Sequence, residues 1–110
     1  MATEDQPWKP GVATKLINAI ASEKQLNLAI TTHAKERMLE RGLLMSDLLF
    51  VLRKGHVYEE PQASTVVGLC KYSVESQSPN SGARFLRVVA VPDGKACQIK
   101  VITIMWRDER

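Results

Sequence analysis

His33, Arg37 and Arg41 stand four residues apart in the stretch THAKERMLERGLL, residues 31–43. At about 100° per residue this spacing places them on one helical face together with Glu40. Ala34 and Met38 lie beside that face and point to a core, while Lys35, Glu36 and Leu39 point away. Such a row offers recognisable chemistry. Arginine's planar fork grips phosphate or carboxylate, and an imidazole exchanges protons near neutral pH. The same residues also fit a solvated helix face on which Glu36, Glu40 and the arginines form modest i,i+4 pairs.

A second set lies downstream. Arg87 sits in FLRVVAV, where Phe85, Val89 and Val91 share its face of an extended chain. A guanidinium among such neighbours must be paired or must line a cleft. Thr103 interrupts VITIM in a similar way, and Lys71 shares the polar face of its own segment with Glu75. Two readings of Arg87 stand side by side: a cationic site, or a cross-strand pair with Glu75.

Familiar catalytic signatures are missing from the sequence, which has no P-loop, dinucleotide fingerprint, HExxH or nucleophile elbow. His56 follows a helix-ending glycine and reads as a turn residue, Trp8 falls in a loose lead, and Trp106 closes the last strand, where it would edge the core or stack a base. Cys70 and Cys97 have no cysteine or histidine at metal-ligand spacing, so they read as small buried thiols. Neither a metal nor a cofactor is expected.

The chain has 110 residues, 45% hydrophobic and 25% charged, which suits one soluble domain with one core and argues against disorder. Its apolar runs fall far short of the ~20 residues of a membrane span. MATEDQPWKPG is polar and acidic, unlike a signal peptide, so a cytoplasmic location without membrane contact is expected. The net charge of +3 is mild. On its own it points only faintly to a nucleic-acid partner.

These candidates need elements to hold them. Residues 1–11 read as a flexible lead broken by Pro7, Pro10 and Gly11, and residues 12–110 as a single domain. Ala13, Leu16, Ile17 and Ile20 predict an amphipathic helix over 12–24. LNLAIT is too short to classify. Thr31 or Thr32 would cap a second helix, with Glu36 near a capping-box position, and Gly42 would end it after Arg41. A third helix would open at Ser46 with Asp47 in its first turn and stop at Gly55, buried on most sides through residues 48–52. Beyond Gly55 the period switches to two. HVYEE, VVGLCKYSVES, ARFLRVVAV and CQIKVITIMW read as strands joined by turns such as QSPNSG and PDGK. The expected fold is α+β, with N-terminal helices on one face of a three- to four-stranded antiparallel sheet.

The run HAKERMLERGLLMSDLLFVLRKGHVYEE, followed by KYSVES, RFLRVVAV and VITIMW, resembles the domain-of-unknown-function family 4258. That family's outline is H-x-x-x-R-x-x-x-R-G-[IL], a buried helix, a glycine, and strands ending in a valine–threonine phrase. His33, Arg37, Arg41, Gly42 and Thr103 match it, and the resemblance covers roughly residues 31–107. The order of helices and strands looks like that of bacterial RelE- and BrnT-type ribonuclease toxins, whose basic concave sheet face contacts RNA. The resemblance implies a metal-independent, toxin-like module in which Arg87, Lys71, Thr103 and Arg37 grip a phosphate, with Arg41 beside them. His33 would then transfer the proton. RNA and an antitoxin-like protein would be its partners. The chain departs from such toxins in its low net charge. The alternative is a non-catalytic interaction module or homodimer in which the His/Arg row is an interface or a solvated face.

Overall fold

Pro10 opens the first helix because a residue without a backbone N–H loses nothing at a helix start. The computed structural model describes residues 5–109 and holds α1 (Pro10–Ala21), β1 (Asn27–Ile30), α2 (Thr32–Glu40), α3 (Met45–Lys54), β2 (His56–Val57), β3 (Gln62–Ala63), β4 (Cys70–Ser76), β5 (Leu86–Asp93) and β6 (Gln98–Trp106). The main sheet runs β1-β6-β5-β4-β2, with β3 pairing β4. The α+β class is as expected. The strand count is larger, and β1 pairs β6 in parallel while the other pairs are antiparallel.

The sheet's helix-facing side is apolar. Tyr72, Val74, Leu86, Val88, Ala90, Ile99, Val101 and Ile104 are at most 1% exposed and join Ile17, Ile20, Ala34, Leu48, Val51 and Leu52 in one core. Val101 and Ile104 both reach this core although three residues apart, because the register shifts between Val89 and Ala90 and leaves Ile102 without a partner. Such a bulge changes which side chains face each side of the sheet.

Several local expectations need correction. Trp8 is not loose: it is 3% exposed, its ring stacks on Tyr72 at 5.4 Å, and its backbone N–H donates to the Tyr72 hydroxyl at 2.9 Å. Burial pushes that hydroxyl's pKa up to about 12, so it stays protonated. The polar, proline-rich composition around Trp8 hid one large apolar anchor. Residues 1–4 of the expected lead lie outside the described residues. Thr31 caps α2 by accepting the Ala34 N–H at 3.1 Å, while Glu36 lies two residues past the position from which a side chain reaches back. Gly42 ends the turn with φ +64°, as a glycine can. α3 opens at Met45 rather than Ser46, since Asp47 accepts the Leu44 N–H at 2.8 Å. As expected, α3 is buried on most sides through residues 48–52, where Leu48, Val51 and Leu52 are fully buried and Phe50 is 40% exposed. No helix among the described residues is long and apolar enough to cross a membrane.

Candidate functional site

Strand pleating sends alternate residues to the side away from the helices. The registers place His56, Glu75, Arg87 and Met105 in one cross-strand row there, Ser73, Val89 and Thr103 in the next, and Lys71, Val91 and Lys100 in a third. Lys71, Arg87 and Thr103 therefore share one sheet face. Four residues of β4 separate the outer rows, about 13 Å at strand rise.

At one end, Glu75 is 5% exposed and holds two guanidiniums. The Arg87 Nε donates to it at 2.8 Å, and an Arg107 amino group lies 3.6 Å from its other oxygen. The cross-strand pairing of Arg87 with Glu75 is thus the arrangement found. Arg107 also lies over the Phe85 ring, 4.0 Å from its centroid.

At the other end lies a pocket of about 260 Å³, lined by Lys71, Lys100, Val91, Ile102, Ala63 of β3 and the loop residues Ser64, Thr65 and Val66. Among the described residues neither lysine forms an ion pair. The Ser64 hydroxyl shapes the loop by donating to the carbonyls of Val66 and Leu69 and accepting the Val66 N–H. Two lysines whose backbones lie about 10 Å apart across β5, over an apolar floor, suit an anion with some hydrophobic surface. Lys100 was not singled out in the sequence. Its place opposite Val91 follows from the β5–β6 register, which depends on the bulge.

The His/Arg row occupies a different place. α2 continues from the end of β1 and packs against β6, while Arg87 and Lys71 lie on the strands beyond. Arg37 pairs with Glu40. Arg41 pairs with Glu40 and, through two nitrogens, with Glu109, whose carboxylate also accepts the Trp106 N–H. The hydrogen bond to Glu109 holds the Arg41 guanidinium above its ordinary pKa and holds Glu109 below the usual carboxylate range. Arg41 thus fastens the end of α2 to the turn after β6. His33 is exposed in the first turn of α2, and among the described residues no hydrogen bond or ion pair joins His33, Arg37 or Arg41 to Arg87, Lys71 or Thr103. Trp106 offers less ring face than expected, since Arg84 lies 4.1 Å from its centroid.

Two further residues were read in the sequence only for their local roles. Asp47 is fully buried and accepts hydrogen bonds from the Ser78 hydroxyl, the Asn80 N–H and the Asn80 side-chain amide, besides Leu44. Burial alone would raise its pKa, but these bonds outweigh it and hold the carboxyl below its usual value. Asp47 so pins the loop between β4 and β5. His56, read as a turn residue, instead opens β2 opposite Glu75. No cluster of three or more His, Cys, Asp or Glu side chains suited to a metal gathers among the described residues.

Fold and site together define a small α+β domain with a helix-covered core and a partly basic open sheet face. The chain belongs to the family described as domain of unknown function (DUF4258), whose model matches residues 30–106. No curated protein and no solved structure matches the chain.

Proposed function

We propose that this domain binds single-stranded RNA along its open sheet face and does not cut it. The observation that carries this reading is the placement of Lys71 and Lys100, both without ion pairs among the described residues, on the same face as Arg87 and Thr103. Cations interleaved with Val89, Val91 and Ile102 suit a phosphate backbone whose bases rest on apolar surface. Cleavage would require a proton-transfer group beside the gripped phosphate. His33 sits on α2, bonded to none of these residues, His56 lies in the Glu75–Arg87 row about 13 Å from the Lys71–Lys100 row, and Arg87 is engaged by Glu75. The ribonuclease role of His33, Arg37 and Arg87 is therefore the weaker form of this reading.

Anisotropy with a labelled RNA oligonucleotide tests it. Lys71→Ala with Lys100→Ala should weaken binding at least tenfold, and His33→Ala should leave it unchanged. Binding insensitive to both lysines would contradict the reading, and RNA fragments whose formation needs His33 would restore the nuclease.

A protein-contact reading is favoured by one other observation. Leu39, Leu44 and Met45 are exposed together at the α2–α3 corner, at 83%, 58% and 46%. A second copy of the chain or an antitoxin-like partner would cover them. Leu39→Glu should then abolish a dimer or complex seen in sedimentation, and a wild-type chain that sediments as a monomer with no partner bound would remove this reading.

A further inference from the structure

A groove of about 660 Å³ opens between the C-terminal half of α3, β2 and the loop that Asp47 pins. This volume lies within the range of sites that hold small organic ligands, roughly 300–1,000 Å³. Phe50 and Lys54, one helical turn apart, form one wall. His56 and Tyr58 follow on β2 and just beyond it, their rings 6.0 Å apart and tilted by 31°. Ser78 and Phe85 complete the far side. Phe50 and Tyr58 are 40% and 59% exposed, large apolar surfaces turned toward water.

The groove is held in shape. The Asn18 amide donates to the carbonyls of Leu52 and Gly55, and the Val57 N–H donates to the Thr14 hydroxyl, which fixes the segment carrying His56. Gly55 has no room for a side chain: an added Cβ would lie 2.5 Å from the Val51 carbonyl oxygen. No acidic side chain lines the groove, and Lys54 forms no ion pair among the described residues.

We infer that this groove binds a nucleotide, with a base stacked on Phe50 and Tyr58 and the phosphate drawn to Lys54. Aromatic faces bind any base through its π-surface, and a lone ammonium favours an anion over a neutral or cationic ring compound. His56 adds a hydrogen-bonding edge beside Tyr58. The site is separate from the Lys71–Lys100 pocket, and free nucleotide is enough to test it.

The experiment is a titration of adenosine 5′-monophosphate into the isotopically labelled full chain, followed by NMR. Shifts confined to Phe50, Lys54, His56, Tyr58 and the 76–85 loop are expected. Tyr58→Ala, an exposed and fold-neutral change, should weaken binding about tenfold. Ribose 5-phosphate, which lacks the base, should bind at least tenfold more weakly than the nucleotide. Absence of groove shifts at about 1 mM nucleotide, shifts only around Lys71 and Lys100, or equal binding of ribose 5-phosphate would each overturn the assignment. A chain that binds RNA through its lysines but no nucleotide here loses this site and keeps the RNA reading. A chain that binds nucleotide here but no RNA keeps the site and loses the reading.

Discussion

Glu75 decides how much positive charge the open face presents. Its carboxylate sits at 5% exposure between Arg87 and Arg107, so two cations share one anion. Glu75→Gln keeps the size and removes that anion. Stability should fall by about 1–2 kcal/mol, less than for a fully buried pair because Arg87 is still partly in water, while RNA affinity should rise as Arg87 is released. Chemical denaturation and anisotropy on the same variant check both; unchanged affinity would mean that Arg87 takes no part. Half of this arrangement was legible in the sequence. Arg87 among apolar neighbours demanded a partner, and Glu75 was the named alternative. Arg107 was not legible, because its pairing depends on where β6 ends relative to β4.

The elements that shape the site are set by a few polar and steric points. Asp47 ties α3 to the β4–β5 loop through its bonds to Ser78 and Asn80. Its pKa is lowered in the folded state, so its contribution is present at neutral pH and is lost as pH falls below the ordinary aspartate range, about 4. Asp47→Asn should cost about 2 kcal/mol at pH 7, and the variant should be no further destabilised through this group on acidification. Thermal melts from pH 7 to 3 test this: the wild-type–variant gap should narrow as pH falls below about 4, and a gap as wide at pH 3 as at pH 7 would contradict it. Gly55→Ala should cost about 2 kcal/mol by overpacking against Val51, Val74 and Glu75. An unchanged melting temperature would show that α3 shifts freely. In the sequence Asp47 read as a first-turn anion and Gly55 as a helix stop. Both readings were sound as local statements. The loop that Asp47 binds and the strand that crowds Gly55 lie at least 19 residues away, beyond any local pattern.

Over the whole molecule, periodicity revealed the three helices and the long strands because each buries one regular face. It did not reveal β1, whose four residues are stabilised by parallel pairing with β6 some 70 residues on. It also missed Trp8, which closes the core from a polar segment. The family's His/Arg phrase was the most legible feature of the chain. In the structure its arginines pair with Glu40, and Arg41 also with Glu109. Lys71 and Lys100, which form no ion pair among the described residues, lie elsewhere, on a face that only strand register assembles. A net charge of +3 conceals them because acidic partners are spread unevenly. The salt dependence of RNA binding is therefore the most direct measurement. If Lys71 and Lys100 contact phosphates, the slope of log affinity against log salt should flatten by about 0.7 for each lysine replaced by alanine, and should not change for His33→Ala. A slope untouched by the lysine substitutions but reduced by Arg37→Ala would move the binding surface to α2 and contradict the account.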